Sequence, residues 1–597
     1  KEVMYGTGGD EVFDAREGDD TILANSGNDI IVASAGDDVI KGGFGIDRVV
    51  FAGELAEYDF ARDEDTGAFI FTHTLVGQHG YNEGTEIITE VEFFDFGTET
   101  FTKEQFDNAV VGQSVLDGNG PPGARTTNND ELIFLNSGGS LINGLVLNGK
   151  TFNGVNVVDA LGGDDRIHGT LGDDFIIAGA GNDLIVPRGG DDAVDGGSGN
   201  DTFQVFNIGP NNTHFIDLED GTSRRSGERV ELFAVENTIT QHGGSTALFG
   251  TADTNVLFTG AGRDLIFGRD GDDRLFGNAS EDGLFGGLGV DRLRGGDGSD
   301  FLAAWDYSDE GSAELYDGEG GGDWLVYATG TAGLDALDDF ANGKFDALNL
   351  RTDQYEANGS GGRVVIRAKD GEVDRLDAQG NIIATDIARN IETYVGSNGA
   401  DTLFGDGEAD YRLTIDGGPG NDVIHTWGAD EINGGRGSDV FIVERDPAGG
   451  AFAQAIDGGP GARDYDIVDM RQAGDSRFIV KTNGVNRFEV VVASKDFFGP
   501  PLSARGSDFT VKEVQEFILG DNDDYFQWGT GSDGTVYGGK GNDYLISSNQ
   551  FGQQLPVFQG GDGNDTIVLE DGGAAFGDEG DDRIEVHAGG KISAEGG

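Results

Sequence analysis

The chain has 597 residues, 105 of them Gly and only 10 Pro, with 109 acidic against 39 basic side chains and a formal charge of −70. That length exceeds one compact core and calls for several domains or a repeat array, while the Pro count excludes collagen and a Pro-rich linker. The acidic balance excludes nucleic-acid binding and attraction to an anionic membrane surface, and the lack of Cys excludes disulfides and thiolate metal sites.

No apolar run reaches the length of a membrane-spanning helix, and Lys1–Asp10 has no signal-peptide pattern. A chain that starts at Lys1 and stops on Gly596–Gly597, where a new repeat would begin, reads as a fragment of a longer polypeptide. Charge of this magnitude opposes compaction, so the natural partners of its carboxylates are cations, and bound metal is the expected stabiliser.

In chain order, the first predicted elements form a block at 1–50. Gly9, Gly18, Gly27, Gly36 and Gly45 recur every nine residues, followed two places on by Glu11, Asp20, Asp29, Asp38 and Asp47. Two places further come Phe13, Ile22, Ile31, Ile40 and Val49. Three registers locked to one period predict a stacked repeat in which each unit is a glycine turn and a short strand. A spacer is expected over 51–154, with a hairpin around Asp65-Thr66-Gly67 and a short helix over Lys103–Ala109.

The frame returns in a second block, 155–206. Gly163, Gly172, Gly181, Gly190 and Gly199 precede Asp165, Asp174, Asp183, Asp192 and Asp201, with Ile167, Ile176, Ile185, Val194 and Phe203 as the apolar partners. After a spacer at 207–245, a third block spans 246–327. Its glycines are Gly262, Gly271, Gly289 and Gly298, and its acids are Asp264, Asp273, Asp282, Asp291 and Asp300. Ser280 stands in one glycine slot, and an outlying unit carries Asp323.

A spacer at 328–390 is expected to hold a short helix over Gly333–Phe340 and a hairpin around Lys369-Asp370-Gly371. The fourth block, 391–443, offers Asp401, Asp422, Asp430 and Asp439. A spacer at 444–518 with a hairpin around Asn483-Gly484 leads to the fifth block, 519–597, with Asp533, Asp543, Asp565 and Asp582. Units near Asp410, Asp466 and Asp523 are irregular and read equally well as ordinary turns. The fold class expected is all-β: parallel rolls alternating with small sandwich-like spacers, the 39 Phe residues filling the spacer cores.

Nine residues that turn and extend carry the chain to the opposite side, so residues 18 apart should stack. Asp20 would lie over Asp38, and Asp165 over Asp183, about 4.7–4.9 Å away at strand spacing. Such carboxylates repel unless a hard divalent cation lies between them. Ca²⁺, with six to eight oxygen ligands in flexible geometry, suits carbonyl-rich turns better than Mg²⁺.

Gly42-Gly43-Phe44-Gly45-Ile46-Asp47-Arg48-Val49-Val50 and Gly196-Gly197-Ser198-Gly199-Asn200-Asp201-Thr202-Phe203-Gln204 resemble the calcium-binding nonapeptide of the RTX (repeats-in-toxin, hemolysin-type) family. Flanking segments are similar to that family too: Ile87–Phe96 resembles the strand that follows its blocks. Val235-Glu236-Asn237, Asn390-Ile391-Glu392 and Val514-Gln515-Glu516 resemble strands that lead into them. The resemblance implies a parallel β-roll in which the Asp carboxylates and turn carbonyls hold stacked Ca²⁺. It also implies type I export and folding outside the cell. At one ion per repeat the count would be on the order of 20, at oxygen-rich sites of extracellular affinity near ~10⁻⁴–10⁻³ M.

No enzyme is expected. The seven His residues form no His-Glu-x-x-His, no Gly-x-Ser-x-Gly occurs, and Cys chemistry is absent. His168 and His587, at or just past strand positions, are expected to point outward. A structural protein of the bacterial cell surface or matrix follows, such as a surface layer, fibre or adhesin. Its expected partners are copies of itself and surface polysaccharide, with no membrane insertion. The alternative is the export and folding region of a larger enzyme or toxin. A module like those of alginate epimerases ranks third, for want of a long right-handed β-helix.

Overall fold

A strand of about three residues with one apolar side chain at its centre buries too little to stand alone, and stacking is its route to a core. The computed structural model describes the chain apart from residues 64, 75–83, 113, 116–130, 136–141, 148–149, 207–212, 226, 242, 304–312, 328–362, 378, 406–412, 427–430, 445–454, 461–464, 474–475, 483–486, 495–508, 530–533, 548–554, 571, 588–591 and 596–597. It divides into two units, Lys1–Ala279 and Ser280–Gly597. Both are all-β, built of parallel rolls as the period predicts. Among the described residues no helix is long and apolar enough to cross a membrane.

Successive strands alternate between two facing sheets. In unit one, Val3–Tyr5, Thr21–Leu23 and Val39–Lys41 pair in parallel, stacking Met4, Ile22 and Ile40. Opposite them, Val12–Asp14, Ile30–Val32 and Arg48–Phe51 stack Phe13, Ile31 and Val49. Residues 18 apart are thus sheet neighbours, and residues nine apart meet across a core that buries these side chains, with Met4 half-buried at its edge. The second roll repeats the scheme with Ile167, Ile185 and Phe203 in one sheet and Ile176 and Val194 in the other. In unit two one column runs Leu403, Ile424, Phe441, Val468, Phe517.

The spacers are built into the rolls' own sheets rather than set apart with separate cores. In unit one, Ala193–Ser198 pairs in parallel with Glu228–Phe233. That strand is antiparallel to Thr222–Arg225, which is antiparallel to Thr213–Asp217, and the latter pairs in parallel with Ser245–Phe249. Unit two has the same insert twice. Ile382–Arg389, Glu372–Leu376 and Arg363–Arg367 bridge Leu315–Gly321 to Thr402–Phe404. Phe509–Lys512, Arg487–Ser494 and Ser476–Thr482 bridge Ala455–Asp457 to Tyr525–Trp528. The physical reason is direction: the outer strands of a three-stranded meander run parallel to each other, so it replaces one coil without reversing the sheet.

The first spacer also carries a meander, Thr85–Thr89, Phe69–His73 and Tyr58–Arg62 beside Val39–Lys41, but there Tyr58–Arg62 is the edge strand of the sheet. Its aromatic cluster of Phe51, Phe60, Phe71, Phe96 and Phe106 closes the end of that core. The helix predicted there is present as Lys103–Asp107, with Thr102 and Gln105 forming a capping box. The helix predicted over Gly333–Phe340 and the turn at Asn483-Gly484 lie outside the described residues.

Candidate metal centre

Most repeat acids sit immediately before a strand, so stacking the strands stacks the acids, and the stack is bonded. Along much of each row the N–H of one acid donates to Oδ1 of the acid one coil on, while the Asp192 N–H donates to the Arg229 carbonyl. Asp20 donates to Asp38 at 2.7 Å, Asp29 to Asp47 at 2.9 Å, Asp165 to Asp183 at 2.8 Å, Asp174 to Asp192 at 2.9 Å and Asp183 to Asp201 at 2.8 Å. In unit two the row continues from Asp282 to Asp300 to Asp323, from Asp401 to Asp422 to Asp439, and from Asp543 to Asp565 to Asp582. Asp264, Asp273 and Asp291 are buried in the same position, and Asp582 is half-buried. Asp430 and Asp533 lie outside the described residues.

One oxygen of these acceptor carboxylates is therefore satisfied. In ten of the row acids the other is not: Oδ2 of Asp29, Asp38, Asp47, Asp183, Asp192, Asp201, Asp300, Asp422, Asp543 and Asp565 is buried with no hydrogen-bond partner. Buried acceptors of this kind are costly unless something outside the chain meets them.

Before six of these acids a glycine five residues earlier (Gly42, Gly196, Gly295, Gly417, Gly538 and Gly560) leaves room beside that oxygen, whereas Ala24, Ala33, Ala178 and Pro187 hold the same place before Asp29, Asp38, Asp183 and Asp192. A Cβ on Gly417 would lie 2.6 Å from Asp422 Oδ2 and 2.5 Å from the Gly434 carbonyl oxygen. On Gly538 it would lie 2.4 Å from Asp543 Oδ2 and 2.3 Å from the Gly560 carbonyl oxygen. A carboxylate oxygen and a carbonyl from the next coil thus converge on a space that only glycine leaves open.

The glycines two places before the acids allow close stacking. Gly18, Gly27, Gly36, Gly45, Gly163, Gly181, Gly190, Gly199, Gly271, Gly289 and Gly298 all have positive φ; Gly172 and Gly262 do not. A Cβ on Gly45 would lie 1.7 Å from the Gly27 carbonyl oxygen. Ser280 holds the same turn at φ 85° and keeps Asp282 in its row, an L-residue in a conformation that glycine adopts freely.

Burial and like-charged neighbours raise the proton affinity of several row acids. Burial pushes Asp300 and Asp264 up to about 7. It pushes Asp422, flanked by Asp401 and Asp439, up to about 9, and Asp543, flanked by Asp524 and Asp565, also up to about 9. Rows that hold their charge at neutral pH need a counter-ion. Oxygen-only donors from carboxylates and carbonyls match a hard cation, and Ca²⁺ in particular. Among the described residues no three acidic or His side chains converge as one cluster. An ion here would draw its remaining ligands from backbone carbonyls.

The rows also have starts and ends that sequence reading missed. Asp174 accepts from the Thr170 N–H at Oδ2, 2.6 Å, and from the Thr170 hydroxyl and Asn156 amide at Oδ1. Asp401 is held likewise by Ser397. Both carboxyl oxygens are thus occupied by protein donors, which sets these two apart from the open members of the rows. At the far end a longer side chain closes the row. The N–H of Asp47 donates to Glu92 at 2.9 Å, that of Asp201 to Glu236 at 2.8 Å, that of Asp323 to Glu392 at 2.8 Å and that of Asp466 to Gln515 at 2.7 Å. In each case the residue two places before the cap has positive φ: Glu90, Ala234, Asn390 and Glu513. Asp466 and Asp524 are further row members; the spacing Gly520-x-x-x-Asp524 was the available signal.

The expectation that His168 points outward is corrected. It is buried and stacked on Phe134 at 5.0 Å, because the strand Leu132–Leu135 of the preceding spacer pairs beside its own strand with Phe134 in register with it. His587 is exposed beside Glu570. His79 and His242 lie outside the described residues.

The RTX calcium-binding nonapeptide repeat (four copies) matches residues 5–40, 14–49, 151–186, 188–203, 249–284, 285–306, 390–411, 414–441, 528–549 and 557–573. No curated protein matches the chain.

Proposed function

We propose, from the premise that this is an RTX repeat protein, that the chain is a secreted calcium-binding structural protein of the cell surface or extracellular matrix, folding and assembling on Ca²⁺. The observation that carries the reading is the weaving of spacers into the same sheets as the repeats. Each unit is scaffold wherever it is described, and the acid rows run along that scaffold. Stacked sites of extracellular affinity, near ~10⁻⁴–10⁻³ M, would fill outside the cell and stay empty within it. Type I export of an unfolded, strongly acidic chain fits that sequence of events. The partners are further copies of the chain in an array or filament, with surface polysaccharide as the second candidate. No catalytic role is proposed.

Dialysis tests the assembly. Ordered arrays or filaments should dissolve in EGTA and re-form on return of Ca²⁺, followed by electron microscopy. A chain that stays monomeric at high Ca²⁺ and high protein concentration contradicts the reading, and would favour the export and folding region of a larger protein.

A further inference from the structure

One acid step in unit two is built differently from the rest. Glu314 and Asp386 occupy consecutive row positions: the Glu314 N–H donates to Asp386 Oδ1 at 3.1 Å, and the Ile387 N–H donates to the Glu314 carbonyl at 2.9 Å. These are the row bonds seen between Asp422 and Asp439, where the acid N–H donates at 2.9 Å and the Val440 N–H donates to the Asp422 carbonyl at 2.8 Å. The space beside the carboxylates, however, is filled by protein. The Arg375 guanidinium lies with Nε 3.1 Å from Asp386 Oδ2 and Nη2 3.7 Å from Glu314 Oε1. The Tyr327 hydroxyl donates to Asp386 Oδ2 at 3.0 Å, and the Tyr316 hydroxyl donates to the Glu314 carboxylate. Arg375, Glu314 and Asp386 are 1%, 5% and 0% exposed.

The glycine that precedes Asp422 and Asp543 by five residues is missing too. Five residues before Asp386 stands Asn381, and Asp386 lies within the meander strand Ile382–Arg389 rather than after a glycine turn. Arg375 comes from the adjacent strand of the same meander, Glu372–Leu376.

We infer that Arg375 is a tethered cation that takes the place of Ca²⁺ at the Glu314–Asp386 step and makes this step of the row calcium-independent. The inference rests on the calcium reading of the other steps. A guanidinium serves because it is permanently charged and presents several donors in a fixed plane, which meets both carboxylates at once. The consequence is a division of labour in unit two. The meander holds its register before calcium arrives, and the glycine-turn coils depend on the ion.

Hydrogen exchange on the full chain, in EGTA and at saturating Ca²⁺, tests this. Removing Ca²⁺ should lower protection over 431–443 about tenfold or more, and over 372–389 by less than about threefold. In Arg375→Gln, protection over 372–389 should fall in both conditions, with Arg375→Lys restoring part of it. Equal calcium dependence of the two segments in the natural chain overturns the inference. So does an Arg375→Gln chain in which Ca²⁺ restores full protection over 372–389, since the pair would then accept the ion. If 431–443 ignores EGTA, the calcium reading itself fails, and the Arg375→Gln result still reports on the arginine.

Discussion

Asp422 commits Oδ1 to a backbone N–H and leaves Oδ2 facing the glycine cradle at Gly417, so charge and hydrogen bonding can be separated by substitution. Asp422→Asn keeps an acceptor for the Asp401 N–H and removes a charge that burial disfavours. Without Ca²⁺ at neutral pH this variant should melt above the natural chain; with Ca²⁺ it should melt below it. A shift of about 1–3 kcal/mol each way is expected, read from thermal unfolding in EGTA and in Ca²⁺.

The rows also fix a pH dependence. Asp264, Asp300, Asp422 and Asp543 have folded-state values of about 7 to 9, above the ordinary 3.8. The calcium-free folded state therefore binds more protons than the unfolded chain across that interval. The stability these groups contribute is complete below pH ~4 and is lost as pH rises through the folded-state values. In EGTA, β ellipticity should be greater at pH 5.5 than at pH 8, and Ca²⁺ should reverse that order. At this scale the sequence was informative: the nine-residue period alone placed Asp20 over Asp38 and Asp165 over Asp183, where the row bonds are found. It did not reveal that Thr170 and Ser397 satisfy Asp174 and Asp401, because a hydroxyl four residues before an acid is common in any turn.

At the scale of the element, the row ends set how one coil passes into the next. Glu236→Ala leaves the buried Asp201 N–H without its side-chain acceptor, and a loss of about 1–3 kcal/mol is expected in Ca²⁺-loaded chain. Glu236→Gln should cost much less, since Gln515 fills that role for Asp466 in the natural chain. Equal losses in the two variants, measured by chemical denaturation, would contradict the capping role. The strands at Val235-Glu236-Asn237 and Val514-Gln515-Glu516 were legible, but their contact with the row was not. The caps lie 35 and 49 residues beyond the acids they close, across spacers of unequal length. The same limit hid the meanders. Hairpins such as Arg363–Arg367 with Glu372–Leu376 follow from alternation and Asp370-Gly371. That their outer strands continue the roll's sheets depends on pairing between distant segments, which local pattern does not encode.

For the whole molecule, a formal charge of −70 meets folds that bury acids in columns. Self-repulsion should loosen the glycine-turn coils of the ion-free chain at neutral pH, while the meander held by Arg375 keeps its pairing, and salt alone should relieve the repulsion only in part, because buried pairs are poorly screened. Ions bound only by the folded state then drive folding by mass action. The most direct test is a Ca²⁺ titration of the chelator-stripped chain at pH 7.5, following heat and far-UV ellipticity together. Uptake of many ions per chain, with β signal rising in step, is the predicted result. A chain that keeps its full β signal in chelator, or takes up no Ca²⁺, would contradict it.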